Sequence, residues 1–166
     1  VNGDLGSGND SISLGAATTA TITGNSGTDT VVGSSDADTL TLTSVESLDA
    51  GDGNDVVSMT DGSLVNGDLG SGNDSISLGA ATTATITGNS GTDTVVGSSD
   101  ADTLTLTSVE SLDAGDGNDV VSMTDGSLVN GDLGSGNDSI SLGAATTATI
   151  TGNSGTDTVV GSSDAD

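Results

Sequence analysis

The sequence predicts an all-β fold, a parallel β-solenoid, and three observations support this fold class. The chain repeats itself every 64 residues, since residue 1 matches residue 65 and residue 129 without a break in identity. Glycine-rich turns recur within each copy, and short segments between them alternate Thr or Ser with branched apolar residues. With 27 glycines and no stretch of helical period, we expect short stacked strands rather than helices.

The repeat defines the domain organisation. Residues 1–64 are the first copy, residues 65–128 the second, and residues 129–166 a partial third. Identical copies favour a stack in which every interface is the same. We therefore expect one continuous solenoid, and we interpret the chain as a window cut from a longer repeat protein.

A finer period of about nine residues lies inside each copy. It is marked by a ladder of apolar residues: Ile12, Ile22, Val31, Leu40, Leu48, Val57 and Val65. Alternation and β-propensity predict strands at 11–14, 21–23, 39–43 and 56–59. Because aromatic residues are absent, small branched side chains must fill a narrow interior. The window corresponds to about eight or nine coils, stacked at the strand spacing of ~4.8 Å.

The turns between strands share one pattern. In residues 6–13, Gly-Ser-Gly-Asn-Asp-Ser-Ile-Ser, two glycines flank one residue and a carboxylate follows. Variants of the pattern occupy 24–31 and 51–57, and all three return in the later copies. Glycine permits positive φ, so the carbonyl oxygens of such a turn can converge near the Asp. Carbonyl and carboxylate oxygens without nitrogen or sulfur ligands favour Ca²⁺ over Mg²⁺, which requires stricter geometry.

The charge balance also points to a cation. The chain has 25 Asp and Glu residues, no Lys, Arg or His, and a formal net charge of −25. Nucleic acid is excluded as a partner because no basic group could neutralise phosphates. Stacked Asp side chains ~5 Å apart would repel by roughly 3 kcal/mol per pair at an effective dielectric constant of ~20. We therefore expect Ca²⁺ binding to supply folding free energy.

The candidate calcium ligands are the carboxylates of these turns. They are Asp10, Asp29, Asp55, Asp74, Asp93, Asp119, Asp138 and Asp157, with Asp52 and Asp116 between the glycines of their turns, and Asp38 and Asp102 in weaker copies. Asp38 lies two residues after Asp36, so the pair is either a second, weaker cation site or an exposed acidic edge.

The stretches 5–13 and 50–58 resemble the RTX nonapeptide, G-G-x-G-x-D-x-U-x, in which U is a large apolar residue. The resemblance implies a Ca²⁺-stabilised parallel β-roll in a secreted bacterial protein. It places Asp10, Asp29, Asp55 and their copies at the sixth position of the motif. Leu5 or Ala50 replaces the first glycine, and about half the units lack the second, so some sites of a full RTX roll are expected to be missing.

Two stacking arrangements fit the spacing of the strong turns. In one, each copy forms three coils with a bulge near residues 36–44, and all strong turns line one edge. In the other, each copy forms seven half-coils, as in an RTX roll with two nonapeptides per coil, and successive copies face opposite ways. We favour three coils, because this arrangement keeps the copies equivalent.

The sequence predicts a structural role and no enzymatic one. Acidic pairs exist, but no His, Lys, Arg, Cys or Tyr is present to assist catalysis. We expect a repeat region of a long extracellular or cell-surface bacterial fibre, sheath or biofilm-matrix filament, self-associating end to end or laterally, without membrane insertion. A passive calcium module coupled to secretion is a further interpretation. The rival hypothesis is an ice- or surface-binding adhesin, since Thr-rich stretches 18–23 and 39–43 could form flat hydroxyl arrays.

Overall fold

The computed structural model describes residues 1–144 and 147–164, and within these ranges every regular element is a β-strand. The last two residues of the partial third copy, 165–166, lie outside the described residues. None of the described residues forms a helix that is long and apolar enough to cross a membrane. The expected all-β class is confirmed.

The strands are short, with three to five residues each. Their bounds are β1 Asn2–Asp4, β2 Ser11–Ser13, β3 Thr19–Thr23, β4 Thr30–Ser34, β5 Thr39–Thr43, β6 Ser47–Gly51, β7 Val56–Met59, β8 Asn66–Asp68, β9 Ser75–Ser77, β10 Thr83–Thr87, β11 Thr94–Val96, β12 Thr103–Thr107, β13 Ser111–Asp113, β14 Val120–Met123, β15 Asn130–Asp132, β16 Ser139–Ser141, β17 Thr149–Thr151 and β18 Thr158–Val160. The predicted strands at 39–43 and 56–59 have these bounds, whereas β3 begins two residues before its predicted start and β2 ends one residue early.

Successive strands alternate between two parallel sheets. The odd-numbered strands form one nine-stranded sheet, β1 to β17, and the even-numbered strands form the other, β2 to β18. Each coil of the solenoid therefore contributes one strand to each sheet, and each strand pairs in parallel with the strand two places further on, as β3 does with β5. Nine strands in each sheet confirm the expected eight or nine coils of a parallel β-solenoid.

The expectation of three coils per copy is wrong. The first copy contains seven strands, β1 to β7, so equivalent residues of successive copies lie in opposite sheets. Ile12 belongs to β2 in the even-numbered sheet, and its copy Ile76 belongs to β9 in the odd-numbered sheet. The reason is that Asp55 does not lie one coil after Asp29. The residue one coil after Asp29 on the same edge is Glu46, 17 residues later, which accepts the Asp29 N–H, so Asp55 lies on the opposite edge.

The core is the double row of inward side chains between the sheets. Ile22 and Leu42 are completely buried and lie opposite each other in the register of β3 and β5. Each such side chain stabilises the fold by about 1.5–3 kcal/mol through burial. Five-residue strands contribute two inward residues, as Leu40 and Leu42 do in β5. The interior therefore holds more apolar side chains than the one per nine-residue unit that the ladder predicts.

The apolar ladder fails at its seventh member. Val65 is 49% exposed, because it precedes β8 at the position that carboxylates hold in other coils. The inward residue of β8 is Gly67, which pairs in register with Leu48 on one side and Ile86 on the other. Leu64 fills the space that Gly67 leaves, since a Cβ on Gly67 would lie 3.5 Å from a Leu64 methyl group.

Candidate metal centre

The turns stack closely enough that glycine is required in them. Gly6 and Gly8 have φ of 92° and 133°, a region that favours glycine. In the next coil, a Cβ on Gly27 would lie 1.6 Å from the carbonyl oxygen of Gly8. The sequence therefore folds locally into turns whose backbone carbonyls face the neighbouring turn without intervening side chains.

A carboxylate stands directly before most strands, and the solenoid aligns these carboxylates along its two edges. The first edge precedes the even-numbered strands and carries Asp10, Asp29, Glu46, Asp102, Asp119, Asp138 and Asp157. The second edge precedes the odd-numbered strands and carries Asp38, Asp55, Asp74, Asp93 and Glu110. Sequence-predicted ligands that were expected on one edge are thus divided between two.

Within each edge, the carboxylates are linked from coil to coil. On the second edge, the backbone N–H of Asp38 donates to Oδ1 of Asp55 at 2.7 Å, and the N–H of Asp55 donates to Oδ1 of Asp74 at 2.7 Å. The series continues from Asp74 to Asp93 at 2.9 Å and from Asp93 to Oε2 of Glu110 at 2.8 Å. Each carboxylate therefore has one oxygen fixed by the preceding coil.

The first edge repeats this linkage. Asp10 donates its N–H to Oδ1 of Asp29 at 2.8 Å, and Asp29 donates to Oε2 of Glu46 at 2.8 Å. The edge is interrupted at β8, where Val65 stands before the strand, and it resumes at Asp102. Further along this edge, the N–H of Asp119 donates to Oδ1 of Asp138 at 2.8 Å.

The other oxygen of most of these carboxylates is buried without a hydrogen-bond partner. This holds for Oδ2 of Asp10, Asp29, Asp55, Asp74, Asp93, Asp119 and Asp138. An unpaired buried charge is costly, and the sequence contains no Lys, Arg or His to pair with it. The orphaned oxygens fit a cation, because hard divalent ions bind carboxylate and carbonyl oxygens and would remove this cost.

The proton affinities of these groups reflect the same burial. Burial raises the pKa of Asp55 to about 6, and repulsion from Asp74 and Asp38 adds to the effect against a hydrogen bond from the Asp38 backbone. Burial likewise raises the pKa of Asp93 and of Asp119 to about 6. Negative charge at these positions is therefore disfavoured unless an ion compensates it.

Side chains alone do not surround an ion. Among residues 1–144 and 147–164, no group of three or more Asp, Glu, His or Cys side chains converges on one point. Any ion in the described part of the chain must take further ligands from backbone carbonyls or water, and carbonyls of the glycine turns belong to the donor set that the sequence predicts.

Asp38 and Asp102 differ from the other edge carboxylates. Oδ1 of Asp38 accepts the N–H of Thr18 at 2.6 Å, and Oδ2 accepts the N–H of Ser34 at 2.8 Å. Asp102 makes the equivalent bonds with Thr82 and Ser98. Both oxygens of each carboxylate are thus satisfied by backbone amides. Asp38 is buried at 1% exposure, so it does not form an exposed acidic edge with Asp36.

The remaining candidates lie nearer to solvent. Asp52 and Asp116 are exposed at the tips of their turns, and Oδ1 of Asp116 accepts the Ser135 hydroxyl at 2.7 Å. Asp157 is half-buried and accepts the N–H of Asp138 at 3.1 Å.

Glu46 and Glu110 are edge carboxylates that the sequence-based ligand set does not contain. Their turns have no glycine pair, which is the signal on which that set depends. A usable signal was present in the nine-residue ladder, because each glutamate stands two residues before an inward leucine, as Asp29 stands two residues before Val31.

The stacked turns and buried carboxylates define a repeat solenoid whose cation sites are built from oxygen ligands. Residues 21–41, 85–105 and 149–166 match the sequence model described as RTX calcium-binding nonapeptide repeat (4 copies). These segments therefore match RTX calcium-binding repeats, which confirms the resemblance and supports Ca²⁺ as the bound cation. The matched segments are a little over a third of the chain and contain the units at 24–31 and 33–40, rather than the two best consensus matches at 5–13 and 50–58.

No curated protein sequence matches the chain significantly. Among solved structures, the chain is similar to a hyperactive, Ca²⁺-dependent, β-helical antifreeze protein from an Antarctic bacterium, with 20% identity and a TM-score of 0.35. This match covers 94% of the present chain and 65% of the antifreeze protein.

Proposed function

We propose that the chain is a calcium-stabilised structural segment of a long extracellular bacterial fibre, sheath or matrix filament. The observation that carries the proposal is the row of buried carboxylate oxygens without partners on both edges, in a chain without a basic residue. Calcium that bridges successive turns would convert their repulsion into cross-links along the solenoid axis. Extracellular Ca²⁺ at millimolar levels is sufficient to saturate weak sites of this kind.

The proposed ligands follow from the state of each carboxylate. Asp10, Asp29, Asp55, Asp74, Asp93, Asp119 and Asp138 each offer an unpaired buried oxygen and are the primary ligands. Asp157 occupies the equivalent place in the last coil. Asp38 and Asp102 cap the start of their runs through backbone amides, and Asp52 and Asp116 contribute to the acidic surface around the turns.

A calcium titration tests the metal part of the proposal. The far-ultraviolet circular dichroism of the chain, freed of divalent ions, should change from disordered to β-rich as Ca²⁺ is added, with Mg²⁺ at the same concentration far less effective. Asp74→Asn should weaken the response, whereas Asp49→Asn, an exposed acid with the same loss of charge, should not. A β spectrum that is unchanged after Ca²⁺ removal would refute the proposal.

Electron microscopy tests the filament part. Each added 64-residue copy contributes 3.5 coils, so particle length should grow by about 17 Å per copy at constant width. The growth should require Ca²⁺. Particles that become rounder as copies are added would contradict a filament.

A second candidate function, ice or surface binding, is favoured by the threonine arrays. Three outward threonines of β3 lie in register with three of β5, which gives a regular grid of hydroxyl groups on one sheet. The copies of these strands, β10 and β12, lie in the other sheet, so the grids of successive copies face opposite ways. An ice-recrystallisation assay distinguishes the two functions, since a purely structural filament should have no activity in it.

A further inference from the structure

We propose that each full copy contains one calcium site in which one of the two contributing turns has no glycine. The site consists of Asp29, the Ser44 carbonyl and Glu46 in the first copy, and of Asp93, the Ser108 carbonyl and Glu110 in the second. We call it the glutamate site. The inference rests on the proposed function, because it assigns additional ligands to a calcium-binding edge.

The first observation is an orphaned oxygen that faces a cradle. Asp29 is completely buried, and its Oδ2 has no hydrogen-bond partner. A Cβ on Gly24 would lie 2.6 Å from this oxygen and 1.9 Å from the Ser44 carbonyl oxygen. The two oxygens therefore border the same small space, which is open only because Gly24 has no side chain.

The second observation is the conformation of Ser44. Its φ is 52°, and its copy Ser108 has the same value, although neither residue is glycine. Left-handed backbone at serine is uncommon and is retained only where surrounding contacts require it. In this turn the Ser44 carbonyl oxygen borders the same space as the carboxylate of Asp29 in the preceding coil.

Glu46 supplies the second negative charge. Its Oε2 accepts the N–H of Asp29 at 2.8 Å, the bond that an Asp makes elsewhere on the edge. The offset between Asp29 and Glu46 is 17 residues, against 19 between Asp10 and Asp29, and an Asp makes the same bond at an offset of 17 between Asp38 and Asp55. The carboxylate of Asp29 and the Ser44 carbonyl border one space, and Glu46 contacts the Asp29 backbone beside it, so the proposal assigns these oxygens together as a donor set for Ca²⁺.

The next coil holds this turn in place with side chains. The N–H of Ser44 donates to Oδ2 of Asp61 at 2.8 Å, and the N–H of Val45 donates to the Ser63 hydroxyl oxygen at 3.0 Å. The Ser63 hydroxyl in turn donates to Oδ1 of Asp61 at 2.6 Å. Asp61 and Ser63 therefore act as positioning residues for the Ser44 carbonyl.

The same arrangement recurs on the other edge, in the identical sequence of the second copy. Oδ2 of Asp93 is also buried and unpartnered, and a Cβ on Gly88 would lie 2.5 Å from it and 1.9 Å from the Ser108 carbonyl oxygen. Asp125 accepts the N–H of Ser108 at 2.8 Å. In both copies a valine follows at the next coil of the edge, Val65 or Val129, so the glutamate site is the last of its run.

The test compares Glu46→Gln, directly before β6, with Asp49→Asn, which removes the same charge from an exposed position within β6. Bound Ca²⁺ per chain is measured by equilibrium dialysis with ⁴⁵Ca²⁺, after circular dichroism has shown each variant to be folded in saturating Ca²⁺. Glu46→Gln should lose one ion or bind it at least about tenfold more weakly. Glu46→Gln combined with Glu110→Gln should lose two.

The Ser63→Ala variant keeps the test decisive if Glu46→Gln does not fold. It leaves every proposed ligand in place and removes only the hydroxyl that holds the turn, so it should weaken the same single ion. Unchanged stoichiometry and affinity in the folded variants would overturn the glutamate site. If the unsubstituted chain itself bound no Ca²⁺, the proposed function would fail instead, so the two failures are distinguishable.

Discussion

Two glycines five positions apart should respond to alanine with opposite signs. Gly72 has a φ of 145°, and a Cβ there would lie 1.4 Å from the Gly53 carbonyl oxygen. Gly67 has ordinary strand geometry, and a Cβ there would make only ordinary contacts, the nearest at 3.5 Å. Gly72→Ala therefore introduces strain and a clash, whereas Gly67→Ala adds a methyl group to the core.

The magnitudes follow from the contacts. The positive φ costs Gly72→Ala about 1–2 kcal/mol. Relief of the clash moves the turn away from its neighbour, and this lengthens the bond from the Gly53 N–H to Ser71 (2.7 Å) and the bond from the Asn73 N–H to Asn54 (2.8 Å). At about 1 kcal/mol for each hydrogen bond, the total loss is about 3–4 kcal/mol. Gly67→Ala should raise the free energy of unfolding by about 1 kcal/mol, because alanine restricts the unfolded chain and buries a methyl group in the folded one.

The assay is urea unfolding in saturating Ca²⁺, followed by far-ultraviolet circular dichroism. Because a repeat solenoid need not unfold in a single step, midpoints are compared instead of extrapolated free energies. The Gly72→Ala midpoint should fall clearly below that of the unsubstituted chain, and the Gly67→Ala midpoint should equal or exceed it. Equal midpoints for the two variants would refute the stacking geometry of the turns.

Two further outcomes are expected. In the absence of Ca²⁺, the chain should gain β structure as the pH falls from 7 towards 4. The unfolded carboxyl groups titrate near 3.8, whereas burial raises the pKa of Asp55, Asp93 and Asp119 to about 6, so the folded chain binds more protons in that window. Circular dichroism after Ca²⁺ removal on a chelating resin would show this, and a β signal that declines on acidification would contradict it. Separately, Val65→Thr should change the unfolding midpoint very little, while Leu64→Ala should cost about 2–5 kcal/mol, and equal effects would contradict the assignment of Leu64 to the core.

Local structure was predictable because it depends on local pattern. The alternation in Thr39–Thr43 predicts both the strand and its inward leucines, and the structure has them. The glycine pair of residues 6–8 predicts a turn with positive φ, and both glycines adopt it. The resulting carboxylates stand before their strands as expected, since the nine-residue spacing fixes their phase.

The choice between three coils and seven half-coils per copy could not be made from the turns alone, and the structure has the seven half-coils. This arrangement depends on the turn at Ser44 and Val45, which lacks glycine and is closed by Asp61 and Ser63 from the following coil. No local pattern reveals this long-range closure, so the offset of 17 residues between Asp29 and Glu46 was not anticipated.

Which carboxylate oxygens are hydrogen-bonded likewise could not be predicted from the sequence. Asp38 and Asp55 occupy the same kind of position, yet only Asp38 receives a second backbone amide, from Ser34. The sequence grades Asp38 as a weaker match, but the physical distinction is this extra hydrogen bond, which leaves no oxygen unpaired.

The odd number of strands in each copy has a consequence for how such a protein can change length. Recombination between identical copies inserts or removes seven strands at once and leaves every stacking contact intact at the junction. Everything beyond the junction, however, is rotated by half a turn about the solenoid axis. A role that depends on length survives such events, whereas a role that depends on one continuous face would be divided between two opposite sides.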